Sequence, residues 1–485
     1  MRPVFSLTLL IFSLLLLNSS IPPEKNHDEK YRPQYHFTLE KNYLGNPAGL
    51  LLQNGEYHLF YQFNPVGKEA DDLHLGHAVS KDLFHWEYLP EALKPGGLPT
   101  DTVCNSLLSG CVVVDKENVL HLQQGENKTQ VLYYSENPCG LQMAYSTTLG
   151  KTWMKYTENP IISYDKNEDA GQPQVFWHAA SRKWVMALYK RPEKDKRKQG
   201  FSFYNSDNLV TWELQSHLAG FFENPCIMEL RVNNRPDDTR WVVMEGNGNY
   251  IIGNFNGKTF TPESIRMKSD FGINFNAPQN FINIPAEDGR IIQMAGLKDG
   301  EWTDMPFAGQ LTVPVELSLK KINTGIYLSK QPVKEMEKLY GKQFVWKNEN
   351  LIPGINKNLI KKIQGNCFRI KGRFDLKNCD AFGIMLKAGK KNPGIELMYN
   401  VKRQSLSILG QSIGLAPLDN KITLDILVDR ASVEVFANGG IASISALTFT
   451  PENEKDYILF NTGGELLVEE LTVYEMNSVW SPEEK

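Results

Sequence analysis

From about residue 35 to residue 319 the sequence alternates short runs of β-forming residues with turns rich in Gly, Asn, Asp and Pro. Examples of such runs are YHLFY at 57–61 and WVVM at 241–244. Helical periodicity is nearly absent from this region. Short β-type runs bounded by turn residues predict an all-β domain, in which apolar side chains are buried between sheets.

A loose repeat runs through the same region. In each copy, a serine opens a turn six or seven residues before a tryptophan, and the serines are 66 and then 60 residues apart. The three copies are 80–86, 146–153 and 206–212. A period of this length suits a four-stranded blade, so residues 31–325 are predicted to form a propeller of about five blades. The repeat alone leaves an irregular β-sandwich as the alternative.

A second domain is predicted after a linker at residues 326–345. Within the linker, QPVKEMEKLY at 331–340 predicts a short helix, with Pro332 near its start and Gly341 closing it. Alternating strands and turns then resume and predict a β-sandwich at 346–478. The predicted fold is therefore all-β, a five-bladed β-propeller followed by a C-terminal β-sandwich, with the two domains packed firmly together.

The N-terminus is typical of an exported protein. Arg2 is followed by a nearly unbroken apolar stretch at 4–17 and then by small polar residues, which predicts a signal peptide at 1–20. The stretch is shorter than the roughly 20 residues that span a bilayer, so an uncleaved anchor is the less favoured alternative. We expect a secreted or periplasmic protein without integral membrane association once the signal is removed.

The overall composition excludes other classes of partner. The net charge is −4, and the basic residues at 191–198 are interpreted as a solvated loop, so nucleic acid is not expected as a partner. The six cysteines have no C-x-x-C spacing and few histidines accompany them, so neither a metal site nor a cofactor is predicted.

Eight sequence blocks resemble, in order, those of one enzyme family. They are YHFT at 35–38, YHLFYQFNP at 57–65, GHAVSKDL at 76–83, AYS at 144–146, QVFW at 174–177, GNFNG at 253–257, PVELSL at 314–319 and VDRASVEVF at 428–436. In these blocks the chain resembles glycoside hydrolase family 32, the invertases, inulinases and levanases. The resemblance implies a propeller with a C-terminal sandwich, and a carbohydrate ligand that is a fructose-containing sugar or a related glycan.

The catalytic positions implied by this resemblance have changed. A retaining glycosidase uses a carboxylate nucleophile and a carboxylic acid about 5 to 5.5 Å apart. The family's nucleophile is the Asp of W-M-N-D-P-N-G, which aligns with Asn46. The transition-state-stabilising Asp of R-D-P aligns with Gln172, whereas the general acid of E-C-P is retained as Glu223. An amide can neither form the glycosyl ester nor offset the positive charge of the transition state.

Further substitutions fall at the positions that the resemblance assigns to substrate binding. Two leucines replace aromatic residues whose ring faces would stack on a sugar, a glycine replaces the Arg of R-D-P, and an asparagine stands in place of a tyrosine. Amide side chains at the site suit sugar hydroxyls because they both donate and accept hydrogen bonds. The predicted substrate-binding residues are Gln62, Leu75, Leu108, Ser109, Gly171 and Asn276.

Three functional hypotheses follow. The first is an exported carbohydrate-binding protein that is hydrolytically inactive or very weak, a pseudoenzyme of its family. The second is an active β-fructosidase with a rewired site, in which Glu223 works with another carboxylate, Asp270 or Asp304. The third is an interaction module whose propeller face binds a protein. Three histidines in strand-like blocks, His36, His58 and His77, are expected to be structural rather than ligands.

Overall fold

The computed structural model of the chain describes residues 27–96, 107–136, 139–354, 358–451 and 453–480, and the predicted signal peptide at 1–20 lies outside them. The described residues form 34 strands and two short 3-10 helices, Lys196–Lys198 and Lys334–Leu339. None of their helices is long and apolar enough to cross a membrane. The all-β prediction is confirmed.

The first three blades are four-stranded antiparallel meanders, each built from consecutive strands. Blade 1 contains β1 (Asn42–Gln53), β2 (Glu56–Asn64), β3 (His74–Ser80) and β4 (Trp86–Leu93). Blade 2 contains β5 (Leu107–Asp115), β6 (Thr129–Glu136), β7 (Gly140–Ser146) and β8 (Met154–Lys155). Blade 3 contains β9 (Glu168–His178), β10 (Lys183–Pro192), β11 (Gly200–Ser206) and β12 (Glu213–Ala219).

Blades 4 and 5 complete the propeller. Blade 4 contains β13 (Cys226–Arg231), β14 (Thr239–Met244), β15 (Asn249–Phe255), β16 (Phe260–Pro262) and β17 (Met267–Lys268). Blade 5 contains β18 (Phe275–Asn280) and β19 (Ile291–Leu297), and later β21 (Gln310–Leu311), β22 (Val315–Ile322) and β23 (Gly325–Pro332). Between them, β20 (Phe307–Ala308) pairs in parallel with β1 and so joins the end of the ring to its beginning. The prediction of five blades is confirmed.

The repeat found in the sequence is the turn between the third and fourth strands of the first three blades. Asp82 Oδ1 accepts hydrogen bonds from the backbone N–H groups two and three residues later, at 3.0 and 2.9 Å. Asn208 does the same in blade 3, at 3.0 and 2.8 Å. Trp86 and Trp153 each donate the indole N–H to the carbonyl oxygen three residues earlier, at 3.0 Å. The repeat therefore encodes one turn conformation.

The C-terminal domain is a sandwich of two antiparallel sheets. One sheet has the order β24-β34-β25-β30-β31-β32 and the other β29-β28-β27-β26-β33. The strands are β24 (Tyr340–Leu351), β25 (Phe368–Asp375), β26 (Ala381–Ala388), β27 (Ile395–Asn400), β28 (Ser405–Ile408), β29 (Gln411–Gly414), β30 (Lys421–Val428), β31 (Ser432–Ala437), β32 (Ala442–Leu447), β33 (Asp456–Thr462) and β34 (Leu466–Met476). Between the domains, the helix predicted over 331–340 is shorter and is the 3-10 helix Lys334–Leu339. The residues before and after it belong to β23 and β24.

A buried histidine joins the two domains. His36, in the segment before β1, lies between two sandwich carboxylates: its Nδ1 is 2.7 Å from Asp429 Oδ2 and its Nε2 is 2.9 Å from Glu434 Oε1. All three residues are at most 2 % exposed. Burial alone would lower the pKa of His36, but the hydrogen bonds and charges of Asp429 and Glu434 raise it to about 9. The imidazolium thus neutralises part of the charge buried at this interface.

His58 and His77, which are also expected to be structural, form a neutral pair inside blade 1. His58 Nδ1 is 3.0 Å from His77 Nε2, and His77 Nδ1 is 3.1 Å from the carbonyl oxygen of Gly150 in blade 2. The carbonyl can only accept, so His77 carries its proton on Nδ1, and His58 donates to His77 Nε2. Burial lowers the pKa of His58 to about 4 and that of His77 to about 3. This pair links two blades without charge.

We predict that His36→Gln lowers the free energy of unfolding by about 3–5 kcal/mol near neutral pH, because two carboxylates stay buried without their cation. The folded pKa of His36 is about 9, above the ordinary 6.5, so its stabilisation is complete below pH 6.5 and declines as the pH rises to 9. The difference in melting temperature between wild type and His36→Gln should therefore shrink across this range.

Differential scanning calorimetry at several pH values measures this difference. Lys387 also titrates in the range, since burial lowers its pKa to about 8, but it is present in both proteins and its contribution largely cancels. His121→Asn, at an exposed histidine, is the control and should leave the melting temperature unchanged. A difference that stays constant from pH 6.5 to pH 9 would contradict the assignment.

Candidate functional site

The candidate site lies where the inner strands of the five blades begin. These strands, β1, β5, β9, β13 and β18, contact one another around the propeller axis. The cavity between them is only about 20 Å³, and its lining includes Val112, Gln174 and Gln279. Gln279 Nε2 also donates to the carbonyl oxygen of Gly110, at 3.0 Å. The propeller axis next to the site is therefore nearly closed to a ligand.

Asn46, which the sequence predicts to stand at the nucleophile position, lies near the start of β1 and is half-buried. Its Oδ1 accepts a hydrogen bond from Asn276 Nδ2 of blade 5, at 3.0 Å. The same oxygen lies 2.5 Å from where a Cβ atom on Gly296 would stand. The backbone N–H of Asn46 donates to Gln62 Oε1 at 3.2 Å. The Asn46 oxygen is thus engaged within the protein, and its Nδ2 has no partner among the described residues.

Gln172, which the sequence predicts to stand at the stabiliser position, bridges blades 2, 3 and 4. Its backbone N–H donates to Ser135 Oγ at 3.1 Å, and its Oε1 accepts the backbone N–H of Asn224 at 3.0 Å. Its φ is +55°, a strained value for a side chain of this kind. Because the N–H of Asn224 can only donate, Oε1 must face it, and Nε2 is left as a donor toward the site.

Glu223 lies in the loop just before β13 and is half-buried. It and Asn224 both have positive φ, +40° and +45°. The buried Glu245 supports this loop, since its Oε2 accepts the N–H of Phe222 at 2.8 Å. The N–H of Gly246 donates to the carbonyl oxygen of Glu223 at 2.9 Å. The hydrogen bond from the N–H of Asn224, the next residue, to Gln172 Oε1 places Glu223 at the same end of the propeller as Gln172.

Sequence reasoning missed Phe222, Tyr189 and Glu245. Phe222 is 41 % exposed, and its ring meets that of Tyr189 edge to face at 5.9 Å. Burial, and next the charge of Glu223, raise the pKa of Tyr189 to about 12. Phe222 directly precedes Glu223, so its position in the sequence was a signal for it. The site therefore does have an aromatic surface beside its carboxylate.

The remaining predicted binding residues fall into different places. Gln62 is buried beneath Asn46 and donates to the carbonyl oxygen of Leu107 at 3.2 Å. Ser109 is 6 % exposed and pairs across strands with Ser135, the partner of Gln172. Gly171 lies against Ser135, with 3.0 Å from its Cβ position to the hydroxyl. The structure thus brings these residues together around Asn46 and Gln172.

The other two predicted binding residues are the leucines Leu75 and Leu108. Leu75 is fully buried in an apolar cluster with Phe60 and Leu107, so its side chain offers no surface to a ligand in this conformation. Leu108 belongs to β5, but its side chain lies outside the described part of the chain.

The carboxylates suggested for a rewired mechanism lie elsewhere. Asp270 is fully buried at the domain interface, 2.8 Å from both Lys330 Nζ and Ser445 Oγ. Burial would raise the pKa of Asp270, but Lys330 and the hydrogen bonds hold it below its usual value. Asp304 is exposed in the loop before β20. The interpretation of Asp270 as a catalytic partner is therefore wrong, because its charge is paired with Lys330 and it binds Ser445 of the sandwich.

The three aligned positions provide one carboxylate and two amides, and Phe222 adds an exposed aromatic ring. The three aligned catalytic positions contribute a single negative charge, that of Glu223. Within the described ranges, no group of three or more His, Cys, Asp or Glu residues could hold a metal ion. Chemistry at the site depends on hydrogen bonding and on one possible proton donor.

Comparison with known families agrees with the fold. The model of the glycosyl hydrolases family 32 N-terminal domain matches residues 36–332, and that of the family 32 C-terminal domain matches residues 335–475. The chain belongs to glycosyl hydrolase family 32. The resemblance seen in the eight sequence blocks is confirmed.

Two proteins and one crystal structure are similar to this chain over most of their lengths. The levanase of Bacillus subtilis strain 168 is 32 % identical over 520 aligned residues, which cover 97 % of this chain and 75 % of the levanase. The extracellular exo-inulinase of Aspergillus niger is 28 % identical, with 94 % and 96 % covered. The crystal structure of exo-inulinase from Aspergillus awamori superposes with a TM-score of 0.83 at 26 % identity, covering 94 % of this chain and all of that one.

The position of Asn46 can be tested through Gly296. An alanine there would place its Cβ 2.5 Å from Asn46 Oδ1, so Gly296→Ala should displace the amide and destabilise the fold by about 1–3 kcal/mol. Gly414→Ala is the matched control, since a Cβ at that position meets nothing within 4 Å. Urea unfolding measures both variants, and equal stability of the two would contradict the packing described for Asn46.

Proposed function

We propose that this family 32 protein binds a fructose-containing carbohydrate at the propeller site and hydrolyses it very weakly or not at all. The observation that carries the proposal is Asn46, an amide at the nucleophile position whose oxygen is held by Asn276 and lies against Gly296. The protein would thus be a carbohydrate-binding protein that has the fold of a glycosidase.

The chemistry of the amides supports the loss of hydrolysis. A retaining mechanism needs a carboxylate to attack the anomeric carbon and negative charge to stabilise the oxocarbenium-like transition state. Asn46 has neither property. Gln172 adds no charge, and its free Nε2 is a donor because Oε1 is bound to the N–H of Asn224. Glu223 can still donate a proton, but protonating the leaving oxygen is only one of the required steps.

The same groups support binding. Amide N–H groups of Asn46 and Gln172 can donate to sugar oxygens, and the carboxylate of Glu223 can accept from sugar hydroxyls. The exposed ring of Phe222 offers a face to the C–H side of a sugar. The names of the relatives, levanase and exo-inulinase, indicate the class of ligand, a fructan or a fragment of one.

Export fits this function. One similar protein is described as an extracellular exo-inulinase. In this chain Cys139 is disulfide-bonded, which is compatible with an oxidising compartment. A secreted or periplasmic protein would meet fructans outside the cytoplasm.

We predict that purified wild-type protein releases fructose from sucrose, inulin and levan no faster than its Glu223→Gln variant. The loss of a nucleophile and of its supporting Asp should raise the barrier by several kcal/mol, and each 1.36 kcal/mol is about tenfold in rate. The double variant Asn46→Asp, Gln172→Asp should recover part of the activity, because Glu223 already stands at the acid position. Fructose release in wild type that Glu223→Gln abolishes would establish the rewired hydrolase instead.

Binding is tested separately by isothermal titration calorimetry with inulin-type oligosaccharides. Phe222→Ala should weaken binding about twofold to tenfold, since an aromatic contact is worth about 0.5–1.5 kcal/mol. Trp177→Ala is the matched control, because Trp177 is 47 % exposed at the opposite end of β9 and should not affect the affinity. Absence of binding to sucrose, inulin and levan fragments alike would refute the proposed function.

A further inference from the structure

A cavity separate from the propeller site is formed by blades 4 and 5 next to the sandwich, and we call it the junction cavity. It has a volume of about 270 Å³ and is lined by the Asn233–Asn234 turn of blade 4 and by β22 and β23 of blade 5. The turn is fixed against β22, since the N–H of Asn233 donates to the carbonyl oxygen of Leu319 at 2.7 Å. The cavity is close in size to the smallest ligand sites, which begin near 300 Å³.

One face of β22 forms the polar wall of the cavity. Val315, Leu317 and Leu319 are buried, whereas the alternate residues Glu316 and Ser318 are half-buried and face the cavity side. This alternation is what a strand with one covered and one open face requires. The wall therefore presents a row of polar groups over an apolar base.

Some of these polar groups have no partner. Neither the carboxylate of Glu316, the hydroxyl of Ser318 nor the side-chain amide of Asn234 makes a hydrogen bond to any described residue. Burial raises the pKa of Glu316, which reflects a carboxylate that is partly desolvated without a compensating bond. A half-buried group of this kind is stabilised when a ligand supplies the missing hydrogen bond.

Other groups hold the cavity in shape. The carbonyl oxygen of Gly439, in the turn between β31 and β32 of the sandwich, accepts hydrogen bonds from three side chains of blade 5. They are Lys320 Nζ at 2.6 Å, Ser329 Oγ at 2.8 Å and Gln331 Nε2 at 3.2 Å. The wall is thus clamped by the sandwich, and the cavity is preformed rather than dependent on a mobile loop.

The chemistry of the lining suits a hydroxyl-rich ligand. The charged groups are Glu316 and two lysines, Lys320 and Lys321, and the remaining polar groups are amides and a hydroxyl. Carboxylates accept from hydroxyls, amides both donate and accept, and the half-buried Ile322 can meet C–H groups. A monosaccharide or disaccharide unit has these features.

We propose that this junction cavity, defined by Asn234, Glu316, Ser318, Lys320 and Gln331, is a second saccharide-binding site that holds another part of the same fructan chain or a second oligosaccharide. The ligand class rests on the proposed function, whereas the site is independent of Asn46, Gln172 and Glu223. Two sites on one chain would favour a polymer over its fragments, because binding at the first raises the effective concentration at the second.

Titration calorimetry of the full-length mature protein with a short inulin-type oligosaccharide tests the second site. Wild type should bind two molecules per chain, and Glu316→Ala should bind one. The variant's affinity for inulin polymer should fall at least fivefold. Its melting temperature should not decrease, because Glu316 has no hydrogen-bond partner among the described residues. Glu337→Ala, at an exposed glutamate outside the cavity, is the control and should bind as wild type does.

A second variant separates filling of the cavity from loss of charge. Ser318→Tyr places a ring in the cavity without removing any described hydrogen bond, and it should also reduce the stoichiometry to one. A wild-type stoichiometry of one, abolished only by changes at the propeller site, would overturn the junction site and leave the proposed function standing. No binding of any saccharide would overturn the proposed function and this inference together.

Discussion

The arrangement of the site depends on one constraint, that five inner strands begin at the same end of a single narrow axis. Residues as far apart in sequence as Asn46 and Asn276 meet there because blades 1 and 5 are neighbours in a closed ring. The parallel pairing of β20 with β1 ties the last part of the ring to its first strand. Without this closure, Asn46 and Asn276 would lose the geometry that joins them.

The sandwich contributes rigidity to the same ring. Its carboxylates hold His36, just before the first blade, and its two serines, Ser443 and Ser445, bind Asp270 between blades 4 and 5. Both clusters are buried, and each pairs negative charge with a cation, His36 in one and Lys330 in the other. Buried charges of this kind are costly unless they are fully paired, so they make the relative position of the domains specific.

Much of the fold was predictable because its determinants are local. The turn that repeats in the first three blades is built from bonds spanning two or three residues, so its Ser, Asp or Asn, and Trp residues recur visibly in the sequence. The assignment of Asn46, Gln172 and Glu223 to the catalytic positions rests on short motifs, and it stays a prediction.

What the sequence did not predict depends on contacts between distant residues. Asp270 had the chemistry of a catalytic residue, and only its contacts with Lys330 and Ser445, 60 and 175 residues away, identify it as structural. The support of the Glu223 loop by Glu245 is equally invisible in a motif. Leu75 stands at an aligned binding position, yet complete burial removes it from the surface.

The central claim is that the propeller site holds a fructoside without breaking it. The most direct measurement is a crystal structure of the wild-type protein after prolonged exposure to an inulin-type trisaccharide. The account predicts an intact trisaccharide, with its terminal fructosyl unit against Asn46, Gln172 and Glu223 and with every glycosidic bond in place. A free fructose in the site, or a fructosyl group bonded to a protein side chain, would contradict it.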